Sequence, residues 1–142
     1  MTRDEIVRLL NEWQDASINR DPAALAKLYA IDCTVDSPIF GTIKGRAAIE
    51  QSQRRLYAAF PDLDMRRDGE AIIDNDRAVE VFKAAGTHAG EFMGLPGTGR
   101  KAQMHGARII RFESGLIKDE RRLYDFTLLL MQVGVLRGKP GH

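Results

Sequence analysis

Residues 116–134 read LIKDERRLYDFTLLLMQVG. Up to Asp125 the run alternates like an extended strand. Phe126 to Val133 is a short apolar segment that stops at Gly134. A carboxylate, Asp125, stands at the junction. A charge in such a place is either a paired structural group or one kept for proton transfer, because carboxylates are rarely buried alone. One face of the strand carries Ile117, Asp119, Arg121, Leu123 and Asp125. The other carries Leu116, Lys118, Glu120, Arg122 and Tyr124. The first set mixes apolar residues with two acids and a base, which suits a binding cavity. The second suits solvent or a subunit contact. The expectation is that the first set faces inward, a bulge being the local event that would exchange the faces.

Upstream, the period of two extends back to Pro61. Leu63 to Ile73 is expected as one strand, Asp74-Asn75-Asp76 as a turn, Ala78 to His88 as a second strand and Ala102 to Phe112 as a third. The loop from Ala89 to Lys101 has glycines at 90, 94, 97 and 99. It lacks the Gly-Lys-Ser/Thr ending of a phosphate loop and feeds a strand, so it is expected as a mobile rim over a pocket.

Before Pro61 the period is helical. Thr2 and Glu5 form a capping-box pattern, and Ile6, Leu9, Leu10, Trp13 and Ala16 repeat on one face. Asp21-Pro22 starts a second, short helix with Asp as cap and Pro in its first turn. Residues 33–45 are extended, bent by Pro38 and Gly41. A third helix is expected from about Arg46 to Ala59, stopped by Phe60-Pro61. Helices first and an antiparallel meander afterwards is an α+β arrangement: a curved, cone-shaped antiparallel sheet packed on three N-terminal helices, enclosing a cavity.

Composition excludes several classes. The chain of 142 residues is expected to be one domain, 1–142. Its 21 Lys and Arg balance 20 Asp and Glu, so no broad field draws nucleic acid or an anionic membrane. Cys33 is the one cysteine, which excludes an internal disulfide. No run approaches the ~20 apolar residues that span a bilayer. A cytoplasmic protein is expected. His88, His105 and His142 show no metal-ligand spacing, so no metal is expected.

The blocks GTHAGEFMGLPGTGRK (86–101), RFESGLI (111–117), RLYDFTLLLMQVGVL (122–136) and AAFPDL (58–63) resemble the SnoaL-like polyketide cyclases, also called ester cyclases, within the nuclear transport factor 2 fold superfamily. The resemblance implies a cone of bent sheet closed by helices, and a homodimer or tetramer. It implies cofactor-free intramolecular aldol closure of a polyketide-type carbonyl or ester substrate. It also places Asp125 at the family's proton-transfer aspartate. Many relatives carry Trp where this chain has Arg121, and Gln-Leu-Gly where it has Gln132-Val133-Gly134.

Aldol closure needs a base to take a proton from carbon between carbonyls and an acid to protonate the new alkoxide. One partly desolvated carboxylate can do both in turn. Asp125 is the candidate, with His105 as an oxyanion donor and His88 as the alternative. Asp36 is either a turn carboxylate or a substrate contact. Arg121, Asp119 and Leu123 are expected in the cavity wall, with Phe40, Phe92 and Met93 as apolar contacts. Arg108 and Arg111 should point to opposite faces, so at most one reaches the pocket. The partner expected is a bulky apolar or aromatic carbonyl compound. The alternatives are a small-molecule binder without turnover, in which Arg121 pairs with Asp125, or a hydrolase or isomerase acting on a similar substrate.

Overall fold

The computed structural model describes residues 1–136. The helix α1 spans Arg3–Ile18 and begins as the capping pattern requires, with the Thr2 hydroxyl accepting from the Glu5 amide at 3.2 Å. Its apolar face buries Ile6, Leu9, Leu10 and Trp13. Each such side chain contributes about 1.5–3 kcal/mol when taken out of water. The short helix α2, Pro22–Ala26, is capped by the Asp21 carboxylate, which accepts from the Ala24 amide at 3.1 Å. The third helix, α3, occupies Arg46–Ala59, as its sequence indicates.

Seven strands form one sheet: β1 Tyr29–Ser37, β2 Gly41–Lys44, β3 Asp64–Arg67, β4 Ile72–Asp74, β5 Arg77–Thr87, β6 Lys101–Glu113 and β7 Leu116–Tyr124. The spatial order is β2-β1-β7-β6-β5-β3, with β4 continuing the edge along β5. Every pair is antiparallel except β1 with β7, which runs parallel. The meander of the last strands is as expected, and two local features are not. The strand expected over 63–73 is broken into β3 and β4 around Gly69, whose φ is +90°. The strand around Cys33 begins earlier, at Tyr29, and brings the N-terminal half back alongside β7.

Above Lys118, β7 turns inward the face opposite to the one expected. Arg111 pairs with Asp119 but Phe112 pairs with Ile117, so Lys118 is an extra residue in β7. This bulge changes the alternation. Ile117 points inward below it, and Glu120, Arg122 and Tyr124 take up the inward phase above it. Asp119, Arg121 and Leu123, expected inside, do not enter the cavity. Arg121 is exposed, and Leu123 is 44% exposed on the outer face with Val81 and Ile109. Tyr124, expected outside, lines the interior.

After β7, the apolar segment is helix α4, Phe126–Val133, ending at Gly134 in left-handed geometry with φ +86°. Leu129 and Val133 bury against Phe60, Phe92 and Ala102, so α4 closes one end of the sheet. No helix among the described residues is long and apolar enough to cross a membrane.

Candidate functional site

Helices α1 and α3, the concave face of β5–β7 and Leu129 of α4 enclose a cavity of about 770 Å³, its mouth included. Phe40, Leu56, Phe60, Met65, Phe82 and Met104 supply much of its apolar wall. Ser17, Ser37, Gln53, Tyr57 and Tyr124 add polar atoms. Arg122 is the one charged residue among the described residues that line it. A recess opens off this space. It shares Ile39, Phe40 and Leu56 and adds Arg55, Glu91, Phe92 and Met93.

Beneath the cavity lies a buried ionic chain. Arg67 pairs with Glu80, Glu80 with Arg108, Arg108 with Glu120 and Glu120 with Arg122. Arg108 reaches Glu80 at 2.7 Å and stacks 3.5 Å over the Trp13 ring. The Tyr29 hydroxyl joins the chain, accepting from Trp13 Nε1 at 3.0 Å and from Arg122 Nη2 at 3.3 Å while donating to Glu120. Buried ions need such partners, since an unpaired charge there is costly. Burial by itself pushes the Glu120 carboxyl up, but the guanidiniums of Arg108 and Arg122 outweigh it and hold Glu120 well below the usual carboxylate range. Burial works against the charged Arg122, and Glu120 more than reverses this, so its pKa is raised. Burial, reinforced by Glu120, pushes Tyr29 up to about 12. Burial also raises the phenols of Tyr57 and Tyr124.

The residues singled out in the sequence fall into three groups. Phe40 lines both spaces, and Phe92 and Met93 border the recess. Asp36, Asp119 and Arg121 lie outside the cavity. Asp36 accepts from the Thr42 hydroxyl at 3.0 Å, and Asp119 accepts from Arg111 Nε at 2.7 Å. Arg121 sits opposite Asp36 across β1 and β7. His105 is exposed opposite Lys83, on the outward phase of β6, so the expected inward oxyanion donor is not there. His142 lies outside the described residues.

His88 and Asp125 are placed differently from the expectation. His88 is fully buried, but it packs between Phe60 and Phe92 and does not line the cavity. Its Nδ1 pairs with the Thr98 hydroxyl at 2.9 Å, and Nε2 has no partner among the described residues. The loop it begins is anchored at both ends, by His88 N to Arg100 O and Gly99 N to His88 O, each at 2.8 Å. Asp125 is exposed, not buried at the inner end of the cavity. Its Oδ1 accepts from the Leu128 amide at 2.9 Å and caps α4. Among the described residues no ion pair joins it to Arg121. Tyr124, directly before it, and Leu129, four residues after it, line the cavity.

Sequence reasoning missed Arg122, Tyr124 and the ionic chain, while Tyr57 reads only as an inner position of the third helix and lines the cavity from there. Trp13 and Tyr29 are core residues, and the Tyr29 hydroxyl, held by Trp13 Nε1, serves Glu120 and Arg122. Arg108 and Arg111 do diverge: Arg108 is buried inward and Arg111 pairs outward with Asp119. No group of three or more His, Cys, Asp and Glu side chains among the described residues is placed to hold a metal.

The chain matches the family model described as SnoaL-like polyketide cyclase over residues 7–133. Among solved structures it is similar to IdmH of Streptomyces antibioticus, a candidate polyketide cyclase, at 26% identity and TM-score 0.75, covering 90% of this chain and 97% of that one. It is also similar to AclR of Streptomyces galilaeus, a candidate hydroxylase, at 24% identity and TM-score 0.83, covering 98% and 87%. TsrD of Streptomyces laurentii is similar at 23% identity and TM-score 0.83, covering 96% and 99%. The last two likenesses speak for the fold alone. No curated protein sequence matches the chain. With the model covering nearly the whole chain and the α+β cone enclosing a cavity, this protein belongs to the SnoaL-like polyketide cyclase family.

Proposed function

We propose that the cavity binds a bulky, mostly apolar carbonyl compound of the polyketide type, and that the protein closes a ring in it by intramolecular aldol addition through acid–base catalysis. The observation that carries this reading is the guanidinium of Arg122 at the inner wall of a cavity whose lining, among the described residues, holds no other charge. Removing a proton between two carbonyls gathers negative charge on oxygen. A fixed cation in a water-poor site stabilises that charge where it develops. The Tyr57 phenol, raised by burial, stays protonated at neutral pH and can donate to the same oxygen.

Asp125 is the proposed proton acceptor. The family resemblance singles it out, it directly follows the cavity-lining Tyr124 in the chain, and only its Oδ1 is engaged by the cap. A substrate that reaches from the cavity past Tyr124 would cover the Asp125 carboxylate, which is exposed in the free protein.

The test uses a panel of linear aromatic polyketides with an acidic methylene, followed by absorbance as the ring closes. Asp125→Asn is expected to lower the rate about 10²–10⁴-fold while ligand binding persists. Full activity in Asp125→Asn with a loss in Arg122→Met would move the proton transfer elsewhere.

A second reading, binding without turnover, is favoured by one observation. No carboxylate lines the cavity among the described residues, and Glu80 and Glu120 beneath it are each held by two guanidiniums. Tight binding across the panel with no ring closure would select it. We further propose that a second copy of the chain covers the outward face bearing Val81, Ile109 and Leu123, which sedimentation would show as a dimer or larger.

A further inference from the structure

The ionic chain alternates in sign. Arg67, Glu80, Arg108, Glu120 and Arg122 follow one another as cation, anion, cation, anion, cation. Three cations face two anions, so the chain carries a surplus positive charge and ends in a cation on both sides. At one end, Arg67 is 24% exposed and its Nη1 reaches Asn11 Oδ1 at 3.2 Å. At the other end, Arg122 has only 9% of its side chain exposed. Its Nε donates to Glu120 at 2.5 Å and its Nη2 to Tyr29 at 3.3 Å. Its Nη1 has no hydrogen-bond partner among the described residues, and the residue borders the cavity. Glu120 cannot neutralise Arg122 alone, because Arg108 holds the same two carboxylate oxygens.

We propose that the cavity selects ligands with an anionic oxygen group, a carboxylate or the enolate that loss of the proton between two carbonyls leaves, and seats that group on Arg122 Nη1. This rests on the cavity being the substrate site, as proposed above, and names the charge of the substrate. A desolvated guanidinium with an open edge rewards an anion strongly and a neutral ester weakly. The apolar body of the ligand then lies along Phe82 and Met104 and extends toward Phe40 and the recess at Met93. Orientation follows from this: the charged end goes in first, and the ring-bearing end stays near the mouth. Tyr57, which lines the cavity from α3, offers a neutral donor to the same space. A ligand with a cationic end would meet Arg122 with like charge and be excluded.

The experiment compares four probes on the whole protein by isothermal titration calorimetry at neutral pH: 4-biphenylcarboxylate, its methyl ester, 4-biphenylmethylammonium, and 2-phenylindane-1,3-dione as an enolate. At least one anion is expected to bind about tenfold or more tighter than the ester, with the ammonium weakest. Which anion gains tells whether the natural group is an acid or an enol. Arg122→Met is expected to remove the difference between anion and ester, and Arg122→Lys to keep much of it. If Arg122→Met does not fold, the four-probe ranking on the unaltered protein decides alone. Ester binding as tight as both anions would overturn the anion assignment and leave the cavity reading standing. Ammonium binding as tight as the anions would do the same. If none of the four binds, both are overturned.

Discussion

Arg108 holds Glu120 with two nitrogens, Nη2 to Oε1 at 3.0 Å and Nε to Oε2 at 3.2 Å, across the neighbouring strands β6 and β7. The same guanidinium reaches Glu80 through its remaining nitrogen at 2.7 Å. Replacing it with an apolar side chain leaves two buried carboxylates each short of a partner. Arg108→Met should therefore cost about 3–5 kcal/mol, read from urea denaturation. Glu50, paired with Arg54 on the exposed side of α3, is the control. Glu50→Gln should leave the midpoint within error. Equal effects at the two positions would show that the buried chain has no special weight.

Acid should destabilise the fold through Glu120. Its carboxyl lies far below the ordinary 4.5 in the folded protein, because Arg108 and Arg122 outweigh the cost of burial. A group depressed in this way contributes stability above its unfolded pKa and loses it as pH falls toward the folded value. Thermal midpoints should hold steady from neutrality down to the ordinary carboxylate range and decline steadily below it. A midpoint that rises with acidification would reverse the sign assigned to this pair.

The alkaline limb belongs to the tyrosines. Tyr29, Tyr57 and Tyr124 are all three tyrosines of the chain, and burial raises each of them, Tyr29 to about 12. A raised phenol contributes stability below its unfolded value near 10 and loses it as pH climbs through the folded value. Tyrosinate absorbance should stay low in the folded protein at pH 10 and appear together with unfolding at higher pH. Early ionisation of one tyrosine without unfolding would show that one phenol is more open to water than its burial implies.

Gly106 sits where β6 passes under Phe82. A Cβ there would lie 2.5 Å from Phe82 Cζ and 2.6 Å from the Leu123 carbonyl oxygen. Gly106→Ala should cost about 1–3 kcal/mol and push the Phe82 ring into the cavity, weakening apolar ligands as well. A variant of unchanged stability with unchanged ligand affinity would mean that the strand yields freely at this point.

Much of the fold was legible because its signals are local. Thr2 with Glu5, Asp21-Pro22 and Phe60-Pro61 mark helix ends through bonds made within a few residues, and α1, α2 and α3 lie where these place them. The parallel pairing of β1 with β7 joins residues some ninety positions apart, and nothing near Asp36 announces Arg121 as its neighbour. The site was less legible for one physical reason. Lys118 is an extra residue in β7, so the alternation counted along the strand changes phase there. Glu120, Arg122 and Tyr124 thereby exchange places with Asp119, Arg121 and Leu123. Asp125 carried a readable signal that pointed the other way: Asp before an apolar run that ends at glycine is a helix cap, and it caps α4.

The claim on which the rest depends is that ligand enters the cavity between α1, α3 and the concave sheet. The five methionines report on it directly. Met65 and Met104 line the cavity, Met93 borders the recess, and Met1 and Met131 lie on the exposed surface. With ¹³C-methyl-labelled methionine, titration with 4-biphenylcarboxylate should move the Met65 and Met104 methyl resonances by ring-current shifts. Met1 and Met131 should stay in place. Shifts at Met131 with Met65 and Met104 unmoved would place the ligand on the outside of the molecule and contradict the account.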